Sequence, residues 1–417
     1  MNNLHWFVAR HYLGSSGKKG LLSLITWIAL GGVTVGVTAL VVVIAVMTGM
    51  QEDLRGKILE STPHVMVLEY GSSLRMGRWE WALEEVQKVE GVVGAAPFVL
   101  SQVVLRQAGE EYVQPASLYG VSLDTTRASP TAMERQIIEG ALDLAPPPSG
   151  LTPLLLGRGL ADRMQVFVGD TLVVLALENL RRDVFGGMTP AMRQFEVTGT
   201  FTTGMYQYDT NNAYTTLEAA QDLLDLTVSG NVSGIGVRTV DPELATRVGD
   251  AIRERLGVPY YVESWITTNR ALFSALKLEK LAMGVILFLI VLVAAFNIVS
   301  TLVMVVSDRT REIGILKAMG MTRGGILSVF VLQGAWIGVA GTAMGTGLGV
   351  VLCILLDRYE LVPIPPDVYF VDHLPVSLRA ADLATIVGAS VLVAFVATVY
   401  PAYQAARLEP VDAIRHD

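Results

Sequence analysis

Four stretches of this 417-residue chain contain no charged side chain, and each is long enough to cross a lipid bilayer. They are Leu21–Met50, Leu281–Val306, Ile326–Leu356 and Leu383–Ala406. A transmembrane helix needs ~20 apolar residues to cross a hydrocarbon core of ~30 Å. In lipid, backbone N–H and C=O groups must be satisfied within the segment, so runs of this length are expected as helices. The first would measure roughly 45 Å at ~1.5 Å per residue, so its C-terminal turns should project beyond the membrane. A cleaved signal peptide has an apolar core of only ~7–15 residues and a small-residue cleavage site after it. Neither feature is present, and an uncleaved anchor is the expectation. Hydrophobic residues reach 52%, yet charged residues still make up 17%, which points to a membrane protein with a substantial water-exposed part.

Lysine and arginine placement sets the orientation. Arg10, Lys18 and Lys19 precede the first run. Arg309, Arg311, Lys317 and Arg323 lie between the second and third, and Arg407 and Arg415 follow the fourth. The 357–382 loop offers only Arg358 and Arg379, diluted by five acids. The expected order is a cytoplasmic segment 1–20, a span 21–50, an external domain 51–276 and a span 277–306. A cytoplasmic loop 307–325, a span 326–356, an external loop 357–381, a span 382–406 and a cytoplasmic tail 407–417 complete it. The external stretch alternates short apolar runs with polar turns. Strands are predicted at His64–Tyr70, Val92–Gln107, Glu111–Val121, Thr171–Leu177, Phe195–Phe201 and Gly234–Thr239. Helices are predicted at Trp79–Val89, Leu160–Val166, Leu217–Leu226 and Asp241–Leu256, and Ala145–Pro153 reads as a Pro-rich loop. The fold class is therefore membrane α-helical, with four transmembrane helices and a large α+β external domain between helices 1 and 2.

Several function classes are disfavoured. Net charge is −8 with no basic stripe, which argues against nucleic acid. The sequence has no G-x-x-x-x-G-K-[ST] loop to cradle a phosphate, and no HExxH, CxxC or GxSxG constellation. The single cysteine, Cys353, lies in an apolar run and reads as a small hydrophobe. The chain is thus expected to bind no cofactor and to be no enzyme. Gly334/Gly338, Gly341/Gly345 and Gly345/Gly349 are spaced for close helix packing, expected against the fourth helix, and Gly32/Gly36 do the same in the first. The first two runs hold no ionisable residue, whereas an ion pathway normally shows one. Leu40, Ile44, Met47, Leu287 and Val291 are candidates for an apolar, acyl-chain-facing surface; ordinary lipid-facing surface is the alternative.

Two polar stretches stand out. Ser307–Met321, SDRTREIGILKAMGM, is a charged, amphipathic insert between the second and third runs. Asp308 is expected as N-cap, Glu312 near the positive helix end, Lys317 near the other end and Gly320 as the stop. Ile313, Leu316 and Met319–Gly320 fall on one side, with Arg309, Arg311 and Glu312 toward the start. Such a helix either tidies a loop at the membrane interface or seats in a groove on another protein. Arg182–Phe195 separates two predicted strands and offers Phe185, Met188, Pro190, Met192 and Arg193. It reads as a hairpin tip or as a surface that grips an apolar partner.

Larger motifs carry a resemblance. SDRTREIGILKAMGMTRGGILSVFVLQGAWIGVAGTAMG closely resembles the signature of FtsX-like ABC-transporter permeases of the MacB type, and YPAYQAARLEPVDAIRHD resembles their C-terminal pattern. The N-terminal FVARHYL and GLLSLITWIALGGVTVGVTALVVVIAVMTGMQEDLR are similar to the LolC/LolE lipoprotein-releasing branch. So are GRGLADRMQVFVGD and FTTGMYQYDTNNAYTTLEAAQDLL in the external stretch. The resemblance runs over essentially the whole chain. It implies a non-catalytic permease of the bacterial inner membrane whose external domain is periplasmic and MacB-like. It implies pairing with a second permease, a copy or a relative, and with LolD-like ATPase subunits that use ATP and Mg. Asp308, Arg309, Arg311, Glu312, Ile313, Leu316, Met319 and Gly320 would then couple to the ATPases, which drive the external domain by mechanotransmission. The implied cargo is a triacylated lipoprotein that enters from membrane lipid between the first and second helices of the permease pair. It would pass to a LolA-like periplasmic carrier held by a hook containing Phe185, Met188, Pro190, Met192 and Arg193. The same superfamily offers two alternatives. One is a MacB-like export permease, which usually carries its ATPase in the same polypeptide. The other is an FtsX-like regulator of periplasmic cell-wall hydrolases, whose external domain is usually much smaller.

Overall fold

The computed structural model describes residues 20–71, 75–107, 109–122, 137–140, 144–182, 188–359 and 374–408. The chain divides into two compact units: Met1–Glu52, Ala275–Pro363 and His373–Asp417 form one, Asp53–Ser274 and Ile364–Asp372 the other.

The first helix, α1 (Gly20–Ser61), does not stop where the first apolar run ends at Met50. Two features extend it. Asp53 and Lys57 pair at 3.0 Å across one turn. Leu54 and Ile58, also one turn apart, are both buried, Ile58 within the core of the second unit. The segment after Met50 therefore opens with helix, and the division between the two units falls after Glu52.

The second unit is built on a ten-stranded mixed sheet. In chain order its elements are β1 (Val65–Glu69), α2 (Trp79–Gln87), β2 (Val92–Gln107), β3 (Val113–Val121), β4 (Ile137–Gly140), β5 (Thr152–Gly157), α3 (Arg158–Met164), β6 (Thr171–Arg182) and β7 (Met188–Phe201). Then come α4 (Tyr206–Asn211), β8 (Asn212–Thr216), α5 (Leu217–Leu223), β9 (Gly234–Thr239), α6 (Ala245–Leu256), β10 (Tyr260–Ser264) and the single turn α7 (Trp265–Thr268). The long strand β2 organises them. Its first half pairs with β9, from Val92↔Thr239 to Phe98↔Gly234. Its second half pairs with β3 on one side and β6 on the other, with Leu105 opposite both Gln114 and Val174. The sheet thereby returns on itself: β2, β3, β8, β5, β7 and β6 form a closed circuit of six strands. Closure leaves those six strands fewer open edges.

Alternation along each strand fills the inside of this circuit. Register partners such as Leu105↔Val174, Leu172↔Phe195, Leu154↔Val197 and Leu118↔Ala213 are all at most 1% exposed. Beyond β2, the arm β9–β1–β10 is backed by α2 and α6, whose Leu83, Val86, Val248 and Ile252 join the same core. The content is α+β, as expected. One sheet carries all of it.

A buried histidine sits at the entry to that arm. His64 is 6% exposed; its Nδ1 accepts the Thr239 backbone N–H at 3.2 Å and lies 2.9 Å from Thr239 Oγ1. Its own carbonyl accepts the Trp265 N–H at 2.9 Å. Burial, with the nearby Arg238 guanidinium, holds the His64 pKa below its ordinary 6.5.

The other unit is helical. Its elements after α1 are α8 (Arg270–Asp308), α9 (Thr310–Ala318), α10 (Arg323–Tyr359) and α11 (Ala380–Arg407). With α1, the helices α8, α10 and α11 are the four long, apolar candidates for spanning a membrane. Lipid tails are as apolar as leucine, so the helices must associate through close packing, and glycines permit it. The expectation that the α10 glycines all face the fourth helix is corrected here, because the column changes partner along its length. A Cβ on Gly334 would meet Thr398 Cγ2, and one on Gly338 would lie 2.4 Å from Ala394 Cβ, both on α11. Gly341, Gly345 and Gly349 instead receive Val33, Val37 and Val41 of α1, each with a Cβ 2.7–2.8 Å from where the glycine's would be. The cause is position along the axis. At ~3.6 residues per turn the five glycines fall on one stripe about 80° wide, so α11 and α1 meet successive lengths of the same stripe. Thr38 Oγ1 seals the α1–α10 contact by donating to the Gly345 carbonyl at 3.0 Å.

Two expectations follow. Gly345→Leu should destabilise the helical unit by about 1–3 kcal/mol through overpacking. Gly347→Leu, where no atom lies within 4 Å of the new Cβ, should cost less than about 0.5 kcal/mol. Thermal unfolding in lipid nanodiscs distinguishes them. For His64 the unfolded chain binds the proton more tightly, so the stability it contributes is present above pH ~6.5 and is lost as pH falls below that value. Unfolding of the full chain, followed by tryptophan fluorescence, should show a midpoint that drops between pH 7.5 and about 5. The drop should shrink in His64→Gln; an equal drop in both proteins would contradict the assignment.

Candidate functional site

The polar insert forms α9, nine residues long. Asp308 is not its N-cap, as expected from sequence: it is the exposed last residue of α8. Arg309 takes the cap position, with φ −99° and ψ 8° and no side-chain capping bond. The reason is local competition. The Thr310 hydroxyl donates back to the Val306 and Ser307 carbonyls at 3.1 and 2.8 Å, so the end of α8 is satisfied one residue later than Asp308 would place it. Arg309 instead pairs with Glu312 at 2.7 Å. At the far end Gly320, at φ 97°, makes a Schellman stop: its N–H reaches the Lys317 carbonyl and the Met321 N–H reaches Leu316, both at 3.0 Å.

The expected single apolar side of α9 is divided by the fold. Ile313 is 1% exposed and belongs to a cluster with Val305, Val306, Ile326, Phe330, Ala402 and Ala405. Leu316 is half-buried, and Met319 is 78% exposed. Ile315, passed over in sequence, is exposed one turn before Met319 and on its face, with Arg311 one turn earlier. The signal that could have found it was the i, i+4, i+8 set Arg311, Ile315, Met319, hidden because Ile313 and Leu316 offer an equally regular set. Lys317 has a partner no local pattern could show. Its Nζ donates to the carbonyls of Ala406 and Leu408 at 2.7 and 2.5 Å, complementing the negative C-terminal end of α11.

The second candidate, the stretch 182–195, is mostly strand. β6 and β7 pair from Thr171↔Glu196 to Arg182↔Met188, with an irregularity between Ala176 and Leu180. The expected loop is therefore shorter. Pro190 is tolerated because the other neighbours of β7, β5 and β4, begin pairing only at Phe195 and Gly199. Met192 is 58% exposed, and Leu177 across the hairpin is 55% exposed. Arg193 forms an ion pair with Asp222 of α5. Phe185 lies outside the described residues, as does the side chain of Met188.

The third candidate set is dispersed. Leu40 and Val291 line a shallow apolar recess between α1, α8 and α11, with Gly36, Val37, Ala294 and Ser390. Ile44 and Met47 are half-buried further along α1, and the Leu287 side chain is outside the described residues. In contrast, α8 leaves Val285, Phe288, Leu289, Val293 and Phe296 exposed along its apolar stretch.

With this geometry in hand, comparison with known proteins places the chain. The MacB-like periplasmic core domain family matches residues 26–255, and the FtsX-like permease C-terminal family matches 284–410. The lipoprotein-releasing system transmembrane protein LolC of Xylella fastidiosa strain Temecula1 is 33% identical over 100% of both chains. The protein of the same name from Neisseria meningitidis serogroup B is 32% identical over 100% of both. The lipoprotein-releasing system transmembrane protein LolE of Haemophilus influenzae is 26% identical over 98% of each. Similarity that covers both units end to end, on a four-helix unit and an α+β unit, shows that the chain belongs to the LolC/LolE-type family of lipoprotein-releasing ABC transporter permeases, within the FtsX/MacB-like superfamily.

Proposed function

We propose that this chain is the permease subunit of an ABC transporter in the bacterial inner membrane that extracts outer-membrane lipoproteins and passes them to a LolA-like carrier in the periplasm. The observation that carries this reading is whole-length similarity to proteins named for a lipoprotein-releasing system. LolD-like ATPase subunits, using ATP and Mg, supply the work, and the chain itself performs no catalysis. It acts with a second permease, a copy or a LolE-type relative. The MacB-like export and FtsX-like regulatory readings are not favoured, since the whole-length relatives are named for lipoprotein release.

In this reading α9 is the surface on which the ATPase pushes. One side of it is fixed to the helical unit through Ile313 and Lys317, and the other presents Arg311, Glu312, Ile315 and Met319. Asp308, Arg309, Leu316 and Gly320 set where that surface begins and ends. The exposed apolar flank of α8, with the half-buried Ile44, Met47 and Val291, provides surface for the acyl chains of a triacylated lipoprotein, without a charged group to desolvate; Leu40, 7% exposed, belongs to the helix core instead. Exposed Met192 and Leu177 on β7 and β6, with Phe185 in the sequence that joins these strands, offer the carrier an adaptable apolar grip.

Purification of the permease–ATPase complex from membranes tests the cargo directly. A triacylated lipoprotein should co-purify, be seen by mass spectrometry, and leave on addition of ATP, Mg and carrier. A complex that carries no lipoprotein and releases none would sink the reading. For α9, Ile315→Asp combined with Met319→Asp should weaken ATPase retention about tenfold or more. The thermal midpoint of the helical unit should stay put. Full retention by that double variant would remove α9 as the docking surface.

A further inference from the structure

The last span, α11, is held by polar contacts at both ends. At its C-terminal end, Lys317 of α9 grips the Ala406 and Leu408 carbonyls, and Ala402 and Ala405 are buried in one cluster with Ile313. At its N-terminal end, the lead-in 374–379 is strapped to α1. Ser377 N–H donates to the Ala45 carbonyl at 3.0 Å. Gly49 lets the strap approach: a Cβ there would lie 2.4 Å from the Pro375 carbonyl oxygen. Thr48 Oγ1 donates to Asp382 Oδ2 at 3.3 Å. Arg379 donates to Glu52 Oε1 through Nε at 2.9 Å and also through Nη2. These contacts fall on two turns of α1, Ala45 to Glu52, and α1 continues as unbroken helix to Ser61.

We propose that α11 is a transmission rod that carries displacement of α9 to α1, and that Lys317, Arg379 and Glu52 are positioning residues at its two joints. The inference rests on the reading of α9 as the surface driven by a partner ATPase. Three physical points support it. A helix of 28 residues is about 42 Å long, and although Pro401 removes one backbone hydrogen bond near its C-terminal end, it runs as one helix from Ala380 to Arg407, so a shift at one end is carried to the other. Apolar helix contacts resist separation but not sliding, whereas a backbone hydrogen bond, a two-armed ion pair and a glycine-seated strap on the same two turns fix axial register. The Arg379 and Glu52 side chains are 54% and 42% exposed, so their pairing contributes little to stability. Their value lies in where they hold α1, and their loss should leave the fold intact while letting the joint slip.

The test uses the whole permease–ATPase complex in proteoliposomes containing a triacylated lipoprotein, with carrier outside. Glu52→Arg and Arg379→Glu should each hydrolyse ATP within about twofold of wild type but release about fivefold less lipoprotein per ATP. The double swap, Glu52→Arg with Arg379→Glu, should restore release. Lys317→Met should lose release per ATP in the same way, and Lys317→Arg should keep it. If a reversed variant does not assemble, Glu52→Gln takes its place, with release per ATP expected to fall about threefold. Wild-type release per ATP from the single variants, or failure of the swap to restore it, overturns the rod. If the wild-type complex itself releases no lipoprotein, the functional reading fails, and the joint is judged by hydrogen exchange instead. The Ser377 amide, bonded to Ala45, should then exchange about fivefold faster in Arg379→Glu than in wild type, and an unchanged rate overturns the joint.

Discussion

Close approach between α1 and α10 is the contact on which the helical unit depends. Inside a bilayer no hydrophobic gain drives helices together, so what holds them is dispersion between backbones that can touch. The Val33, Val37 and Val41 ridge meets glycines that a Cβ would fill, and the Thr38 hydroxyl adds a hydrogen bond where no water competes. Because the same glycine column reaches α11 through Gly334 and Gly338, α10 is the common neighbour of the first and last spans. The α9 anchor and the strap at Ala45–Glu52 both presuppose that arrangement.

The soluble unit solves a different problem by different means. Its core comes from register: alternate residues of six strands turn inward and are sealed from water almost completely. There the hydrophobic effect works at full strength, about 25 cal/mol per Å² of apolar surface removed from water. One buried carboxylate inside is satisfied locally. The Asp209 carboxylate, 8% exposed, accepts from the Thr202 and Thr203 hydroxyls and from the Thr203 N–H at 2.7–2.8 Å. One chain thus contains two solvents' worth of design rules, and the composition that looked contradictory, half apolar yet well charged, is their sum.

What could be read from residues alone follows the range of the interaction responsible. The four spans are visible because uncharged length is a local property. Strands β2 and β9 and helix α2 match their predicted positions because alternation and the helical period are local as well. Strand β5 was hidden: TPLLLG follows a proline cluster and is buried almost throughout, so it shows no alternation. The far half of β7 was taken for loop because its glycine- and proline-bearing neighbourhood outweighed a pairing with β6 that only the hairpin reveals. In the Ser307–Met321 stretch, Gly320 and the ion pair of Arg309 with Glu312 are neighbours in sequence, whereas the partners of Lys317 lie some ninety residues away. Arg379 shows the same limit. As one of two cations in an acidic loop it stands out only for its effect on the charge balance, and Glu52 is more than three hundred residues distant.

The strand order has a bearing on how the molecule is made. Strand β1 is zipped between β9 and β10, so the earliest strand can be held only by the two latest ones. During synthesis the chain from Val65 onward must wait, unpaired at its beginning, until Gly234–Thr239 has emerged, and its second partner comes only with Tyr260–Ser264. Non-local pairing of this kind folds slowly and exposes apolar strands in the meantime. Completion of the sheet and delivery of α8, which begins at Arg270, are therefore nearly simultaneous events. The newborn protein has its first helix made long before its largest domain can close, and the interval between the two is when it is most open to misfolding and proteolysis.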